Sequence, residues 1–372
     1  MKYLISLKRN KDKIQKIINK VYINMNLAIL FGGSSFEHEI SIVSAITVKK
    51  VLKNFSLSFI FCDANREFYL IDSKNMKSNH FSTGAYKKDK KLILKQNGFA
   101  SKSLFGLKDE KVGTILNLIH GRDGEDGKVA SLLEFNHIAY ISPRVDASVL
   151  SYNKLYTKLY AKSIGVGVVP YTLLNSSDSR DINLEYPVII KPVRLGSSIG
   201  VSIVKSADEL DYALDVAFEF DNQVLIEPFI DGVKEYNLAG CKSDKFELSI
   251  IEEPNKEEFL DFEKKYLDFS RDGKVGSADI SNELKLDIEE SFKKVYSSLF
   301  EGAIIRCDFF VVNGEVLLNE INPIPGSMAN YLFEDFEGMI KRLTSHLPQE
   351  ADIKIDYSYI NSIQSAKGGK VK

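Results

Sequence analysis

Short apolar runs alternate with amphipathic stretches along most of the chain. The runs around Leu27, Phe59 and Leu116 have strand length, and residues 39–52 carry apolar side chains at helical spacing. Alternation of strands with helices of this kind is typical of open α/β sheets. The pattern therefore predicts an N-terminal α/β unit in an α/β protein.

Further strands and helices are predicted in the remainder of the chain. Further strands are predicted near Val188, Val201 and Val224, and a helix with one apolar face is predicted over residues 286–300. At 372 residues the chain exceeds one ordinary core, so two or three packed units are expected. The predicted divisions are a basic tail at 1–24, the N-terminal unit at 25–145, a central lobe at 146–228, a C-terminal lobe at 229–347 and a polar tail at 348–372.

Two apolar runs, at 304–312 and 316–321, are separated by an Asn-Gly pair, which is a strong signal for a β-hairpin. A plain two-residue turn would pair Asp308 with Asn319 and leave Glu320 on the opposite face. We therefore expect a three-residue loop with a left-handed glycine and a bulge beside it, which would bring both acids to one face.

This hairpin carries the strongest candidate chemistry. Asp308, Glu320 and Asn322 offer only hard oxygen ligands, which suit Mg²⁺ rather than zinc. Arg306 projects from the same strand face as Asp308 and could stabilise charge on a reacting group. The alternative is an ion-pair network on an exposed sheet face.

A glycine- and serine-rich loop follows the strand near Val188. Gly196 allows a close backbone approach, Ser197 and Ser198 can donate hydrogen bonds, and Lys191 adds a positive charge, which together favour a polyphosphate. Because a strand and not a helix follows, the P-loop and dinucleotide-binding patterns do not fit. An ordinary flexible hairpin loop is the alternative.

Further polar residues stand at the ends of predicted strands. Glu227 and Glu235 follow a short apolar strand and could bind adenine and ribose, or could be solvated loop acids. Glu37 lies beside a helix N-terminus, where it could hold a substrate ammonium or cap the helix. His120 follows an apolar run at a position where open α/β sheets usually bind ligands, although a lone histidine is more often structural.

Two other lysines complete the pattern. Lys154 begins a segment that Asn153 could cap as a helix. Lys265 and Tyr266 lie in a polar stretch at 255–282 that is long enough to act as a lid over a site.

The order of these residues resembles the ATP-grasp ligases, and within them the D-alanine–D-alanine ligases, from about residue 25 to about residue 347. The segments at 31–41, 120–127 and 262–266 resemble that family's opening loop, second signature and mobile-loop signature. The resemblance implies an ATP-grasp architecture of three lobes, with ATP between the central and C-terminal lobes. It also implies ATP and D-alanine as substrates, Mg²⁺ or Mn²⁺ as cofactor, with two ions expected, and a homodimer.

The resemblance also implies residue roles. The catalytic residues it implies are Glu37, Ser197, Tyr266 and Arg306. The amino-acid substrate residues it implies are Glu37, His120, Gly326 and Tyr331. The nucleotide and phosphate residues it implies are Lys154, Lys191, Gly196, Ser197, Ser198, Glu227, Glu235 and Lys265. The metal ligands it implies are Asp308, Glu320 and Asn322.

One position departs from the family pattern. Tyr331 stands where the family more commonly has a small hydroxyl residue that helps to bind the carboxylate of the second amino acid. Tyr266, by resemblance, favours an amine acceptor. The rivals to a D-alanine–D-alanine ligase are a related ligase that uses D-lactate or D-serine, a nucleotide-binding regulator without turnover, and a kinase that releases the acyl phosphate.

Composition argues against several other classes of protein. A formal net charge of -2 gives no basic footprint for nucleic acid. Three scattered cysteines suggest neither zinc nor a disulfide framework, so a cytoplasmic location is expected. No run approaches the ~18 apolar residues needed to span a membrane.

Overall fold

The computed structural model describes residues 25–180, 182–254, 275–351 and 353–366. The predicted tail at 1–24 and the predicted lid residues Lys265 and Tyr266 lie outside these ranges. Within them, no helix combines the length and apolar character needed to cross a bilayer.

An eight-stranded sheet forms the N-terminal unit. Its strands are β1 (Asn26–Gly32), β2 (Ser56–Cys62), β3 (Phe68–Ile71), β4 (Lys90–Lys95), β5 (Gly98–Ser103), β6 (Gly106–Glu110), β7 (Thr114–Asn117) and β8 (Tyr140–Ile141). The order is β6-β5-β4-β3-β2-β1-β7-β8, with parallel pairing from β2 to β8 and antiparallel pairing elsewhere. After the exposed Asn26, the residues of β1 are buried, as expected for a parallel strand covered on both faces.

Nine α-helices are present in the described ranges. They are α1 (His38–Val51), α2 (Ser78–Ser82), α3 (Lys128–Phe135), α4 (Val145–Tyr152), α5 (Lys154–Ser163), α6 (Leu210–Phe218), α7 (Asn282–Tyr296), α8 (Phe336–Thr344) and α9 (Ser358–Ala366). Asn153 caps α5 by accepting a hydrogen bond from the Tyr156 amide, as predicted. The α7 helix begins four residues before the predicted start, because Ser281 caps it by accepting from the Leu284 amide.

The central sheet has four antiparallel strands in the order β10-β13-β11-β12. They are β10 (Thr172–Asn175), β11 (Val188–Pro192), β12 (Ser202–Val204) and β13 (Gln223–Pro228). Helix α6 packs on this sheet and closes a separate apolar core around Ile190 and Leu214. The glycine-serine loop joins β11 to β12, so the predicted strand-loop-strand arrangement is confirmed.

The C-terminal sheet has five strands in the order β15-β14-β16-β17-β9. They are β9 (Gly167–Val168), β14 (Lys234–Lys242), β15 (Phe246–Glu252), β16 (Ile305–Val312) and β17 (Glu315–Asn322). Strand β9 precedes the four strands of the central sheet in the chain but pairs with β17, and α4 and α5 pack on β17. One apolar cluster runs from this sheet into the N-terminal sheet, and includes Phe31 and Phe309. The predicted lobe boundaries stay predictions.

The β16–β17 hairpin contains the predicted bulge, but not at the predicted place. Val312 pairs with Glu315 across a two-residue turn, so the expected three-residue loop is wrong. The register shifts farther along, where Phe309 pairs with Leu318 and Asp308 pairs with Glu320. Asn319, which lies between Leu318 and Glu320, is the extra residue of the bulge. The shift brings the two acids opposite each other on one face of the sheet.

Candidate active site

Glu37 stands between β1 and α1, with 8 % of its surface exposed. It occupies the N-cap position of α1 without making a side-chain capping bond, so the capping alternative is not what its carboxylate does. Its Oε1 accepts a 2.5 Å hydrogen bond from Ser197 Oγ, while its buried Oε2 has no hydrogen-bond partner. Burial, reinforced by the nearby charge of Glu125, raises the pKa of Glu37 from 4.5 to about 7. A cationic ligand would compensate this buried acid.

The glycine-serine loop approaches Glu37 closely. A Cβ added at Gly196 would lie 3.3 Å from Glu37 Oε1, so a larger residue would crowd the carboxylate. Ser197 and Ser198 both have left-handed φ angles, 56° and 58°. Such consecutive strained residues persist only where the surrounding structure holds them. Arg194 supplies one support, because its guanidinium donates to both oxygens of Asp221.

His120 is buried beside the same acid. Its Nε2 lies 2.9 Å from Ser44 Oγ, and its Nδ1 lies 3.7 Å from Glu125 Oε1. The backbone next to His120 approaches Glu37 closely, since a Cβ added at Gly121 would clash with Glu37 Oε2. The structure therefore brings His120, Glu37 and Ser197 from two lobes to one place.

A second cluster, in which Lys158 and Lys191 surround the carboxylate of Glu227, lies between the central and C-terminal sheets. Glu227 is 2 % exposed, and its Oε2 and Oε1 lie 2.9 Å from the ammonium groups of Lys191 and Lys158 respectively. Burial alone would raise the pKa of Glu227, but the two lysines outweigh it and hold that pKa below its usual value. Lys191 also lies 3.4 Å from Asn319 Oδ1, the bulged residue of β17. Glu227 is thus engaged by lysines, and its predicted contact with a nucleotide stays a prediction.

Lys154 points toward the glycine-serine loop. Its Nζ donates a 2.5 Å hydrogen bond to the carbonyl of Leu195, immediately before Gly196. Burial lowers the pKa of Lys154. The ammonium therefore stands at the loop that was predicted to surround phosphates.

The hairpin acids and Arg306 form a third cluster. Arg306 Nε and Nη2 lie 2.7 and 2.9 Å from the two oxygens of Asp308, and Asn322 Nδ2 donates to Asp308 Oδ2 at 2.9 Å. Asp308 is only 3 % exposed, so the alternative of an ion-pair network on an exposed face is wrong. Burial raises the pKa of Asp308 against the opposing effect of Arg306. Glu320 stands directly opposite Asp308 in the register.

This cluster fits a hard divalent cation. Asp308, Glu320 and Asn322 bring two carboxylates and an amide oxygen to one sheet face, which is the donor chemistry that Mg²⁺ prefers. With its amide oriented to donate to acids, Asn237 Nδ2 lies 3.1 Å from Asp308 Oδ1 and 3.3 Å from Glu235 Oε1. Glu235 is therefore linked to the cluster through Asn237.

A turn of seven residues, Gly326–Leu332, follows the hairpin. Ser327, Met328 and Ala329 all have left-handed φ angles, near 50°. Tyr331 faces Arg306, and burial raises the pKa of Tyr331 to about 12 although Arg306 acts in the opposite direction. The predicted substrate residues Gly326 and Tyr331 thus lie on one strained turn, and Tyr331 lies next to the arginine.

Sequence reasoning missed three residues of this region. Lys158 stands four positions after Lys154, so helical spacing could have placed it on the same face of α5. Asn237 and Ser44 carry no comparable signal, because each acquires its partners through contacts between distant segments.

The fold is of the ATP-grasp class: an open α/β sheet is joined to two further sheets, lysines link those two sheets, and a glycine-serine loop of the central sheet reaches the N-terminal unit. The D-ala D-ala ligase N-terminus family matches residues 26–143, and the D-ala D-ala ligase C-terminus family matches residues 160–336. The chain belongs to the D-alanine–D-alanine ligase family.

Individual relatives and solved structures support this family membership. The D-alanine–D-alanine ligase of Sulfurovum sp. is 70 % identical over 92 % of this chain and 99 % of its own length, and that of Sulfurimonas denitrificans is 63 % identical over 92 % and 100 %. The crystal structure of the ligase from Helicobacter pylori has a TM-score of 0.80 at 53 % identity, covering 88 % of this chain and all of that one. The VanG D-Ala:D-Ser ligase of Enterococcus faecalis has a TM-score of 0.70 at 25 % identity, covering 87 % and 99 %.

Proposed function

We propose that the chain joins two D-alanine molecules in an ATP-dependent reaction that yields D-alanyl-D-alanine, ADP and phosphate for peptidoglycan precursors. The observation that carries this proposal is the buried Glu37 carboxylate, which accepts from Ser197 and keeps an unpartnered oxygen beside His120. A buried acid with an open oxygen suits the ammonium of an amino acid. Family membership supports the same conclusion.

The first chemical step activates the first D-alanine. Its carboxylate oxygen attacks the γ-phosphorus of ATP, the bond from that phosphorus to the bridging oxygen of ADP breaks, and an acyl phosphate forms. We assign Lys154 and Lys191 the role of offsetting phosphate charge, and the amides and hydroxyls of Ser197 and Ser198 the role of donating to the phosphates. We assign Lys265 the same role from the lid.

The second step forms the peptide bond. The amine of the second D-alanine, having lost a proton, attacks the acyl carbon, and the carbon–oxygen bond to phosphate breaks. We assign Arg306 the role of stabilising the tetrahedral oxyanion, and Tyr331 and Gly326 the role of receiving the second carboxylate. Closure of the lid with Tyr266 would exclude water, which would otherwise hydrolyse the acyl phosphate.

The metal site proposed here uses Asp308, Glu320 and Asn322. Mg²⁺, or Mn²⁺, bound by these residues would neutralise phosphate charge, and two ions are expected. Glu227 and Glu235 are proposed to contact the adenosine part of ATP.

Alternatives that use D-lactate or D-serine share the phosphate chemistry but are not favoured. Relatives at 56–70 % identity carry the D-alanine–D-alanine ligase name, whereas the D-Ala:D-Ser ligase is 25 % identical. We also propose that the chain forms a homodimer. Its proposed location is the cytoplasm, where ATP is abundant.

The test is ATP hydrolysis with each candidate substrate and identification of the product by mass. ADP release should require D-alanine and not L-alanine, and the product should be D-alanyl-D-alanine. Asp308→Asn and Lys191→Ala should each lower turnover by at least about a hundredfold, because each removes preorganised charge from the reacting phosphates.

Exposed residues of the same kinds provide controls. Asp211→Asn and Lys205→Ala, both on the surface of the central lobe, should retain activity. Full turnover in Asp308→Asn or Lys191→Ala would refute the site assignment, and ADP release independent of D-alanine would refute the function.

A further inference from the structure

Ser44, on α1 of the N-terminal unit, contacts parts of the site that belong to different substrates. It is fully buried, with 0 % of its surface exposed. Its Oγ lies 2.9 Å from His120 Nε2 and accepts a 3.0 Å hydrogen bond from the amide of Ser327. His120 stands beside Glu37, and Ser327 begins the strained part of the turn that carries Gly326 and Tyr331.

The hydrogen-bonding capacity of a buried hydroxyl, together with the partners within its reach, assigns the direction of these two contacts. Ser327 N–H can only donate, so it occupies one of the two acceptor positions on Ser44 Oγ. Among the described residues, His120 Nε2 is the one other hydrogen-bond partner of Ser44 Oγ, so the buried O–H proton of Ser44 is satisfied when it is donated to that nitrogen. Nε2 then accepts, and the proton of the neutral imidazole stands on Nδ1, which faces Glu125. The network thus assigns the orientation and tautomer of His120.

The turn needs such support. Three successive non-glycine residues in the left-handed conformation are unfavourable, and the surroundings must hold them. The holding contacts are Ser327 N to Ser44 Oγ, Met328 N to the Pro325 carbonyl, and Asn330 Nδ2 to the Ser327 carbonyl. Only the first of these three reaches a different unit of the fold.

We propose that Ser44 is a positioning residue that couples the two amino-acid subsites. Its hydroxyl orients His120 on the side of the first D-alanine and holds the turn that receives the second. This inference rests on the proposed function. Ser44 has no exposed surface, so its effect on the reaction passes through His120 and Ser327.

Ser44→Ala tests this coupling, with Ser41→Ala as the matched control. Ser41 lies one turn earlier on α1, is also 0 % exposed, accepts from the Gly32 amide and donates to the Leu118 carbonyl. Both variants lose a buried hydroxyl with two partners, but Ser41 touches neither His120 nor Ser327. Comparable losses of stability are expected, and urea unfolding would measure them.

The kinetic readout separates positioning from stability. Ser44→Ala should raise the KM for the second D-alanine about tenfold, because an amide of the turn loses its buried acceptor, while kcat falls less. Hydroxylamine, added to trap the acyl phosphate as a hydroxamate, should capture a larger share of product in Ser44→Ala. Ser41→Ala should keep both values within about twofold of the wild type, since it leaves the turn intact.

A second readout does not require turnover. Nitrogen-15 NMR of the imidazole rings should show His120 with its proton on Nδ1 in the wild type and in Ser41→Ala, and a changed tautomer balance in Ser44→Ala. Equal KM values in Ser44→Ala and the wild type, or equal changes in the two variants, would refute the coupling. Absence of D-alanine-dependent turnover in the wild type would instead refute the proposed function and the coupling with it, while the NMR result would still decide whether Ser44 donates to His120.

Discussion

At the scale of single residues, burial decides the chemistry of the site more than the identity of each group does. Glu37 is an ordinary carboxylate whose pKa rises to about 7, because burial and Glu125 outweigh the hydrogen bond from Ser197. Near neutral pH the ionised form of Glu37 is therefore less favoured than that of an ordinary glutamate when no cation is bound. A substrate ammonium at the open Oε2 would restore it.

This shift makes the stability of the ligand-free protein depend on pH. Between pH 4.5 and 7 the unfolded chain releases the Glu37 proton and the folded chain retains it, so the Glu37 contribution to the free energy of unfolding falls as pH rises. Glu37→Gln lacks this dependence. From pH 5 to pH 7.5, the variant should gain about 2 kcal/mol relative to the wild type in urea unfolding.

Glu39→Gln, an exposed acid of the same helix, is measured in parallel to remove the general effect of deleting a charge. If the difference between Glu37→Gln and the wild type were the same at both pH values, the raised pKa of Glu37 would be wrong.

At the scale of elements, the β16–β17 hairpin shows how backbone geometry prepares side chains for a metal. Asn313 and Gly314 have φ angles of 52° and 85°, so both turn residues are left-handed, as in the two-residue turns that suit twisted hairpins. The turn sets a regular register, and the bulge at Asn319 then shifts it by one residue. Asp308 and Glu320 meet because of the bulge and not because of the turn.

Gly314→Ala should therefore lower stability by about 1 kcal/mol through backbone strain alone, since a Cβ there would enter open space. Gly276→Ala is the matched control. That glycine also has open space around its missing Cβ but lacks a left-handed φ, so the substitution should be neutral or slightly stabilising. Equal stability of the two variants, measured by urea unfolding, would contradict the assigned turn geometry.

At the scale of the whole molecule, the central sheet has its own apolar core, whereas the N-terminal and C-terminal sheets share one. Polar groups join the central lobe to the rest near the site. Lys158, from a helix packed on the C-terminal sheet, reaches Glu227 of the central sheet. Lys191 bridges in the opposite direction, to Asn319.

Lys158→Met should lower the free energy of unfolding by about 3 kcal/mol, because removing one partner of a buried ion pair leaves the other poorly compensated. Lys162→Met, one turn farther along α5 at an exposed position, is the control and should change stability by no more than about 1 kcal/mol, because within the described ranges its ammonium contacts only the Tyr171 ring. Thermal or urea unfolding checks both. Similar stabilities of the two variants would show that the contact between Lys158 and Glu227 contributes little to joining the lobes.

The sequence by itself determined the elements and the chemistry available to them. Periodic apolar residues, the Asn-Gly turn and the capping Asn153 act over a few neighbouring positions, so strands, helix α5 and the hairpin could be predicted from the chain. The acids, lysines and serines of the site were recognised by their residue types and their order. The start of α7 and the loop length of the hairpin were predicted wrongly. The first depends on the capping bond at Ser281, and the second on whether the extra residue of β17 lies in the turn or at Asn319.

Only the tertiary structure decided which of these groups meet. Ser197 reaches Glu37 across 160 positions of the chain, and Ser327 reaches Ser44 across 283. No local pattern encodes such contacts, because they depend on how three sheets pack together and on a single bulged residue. Burial followed from the same packing, and burial is what gives Glu37 its raised pKa and Lys158 its ion pair.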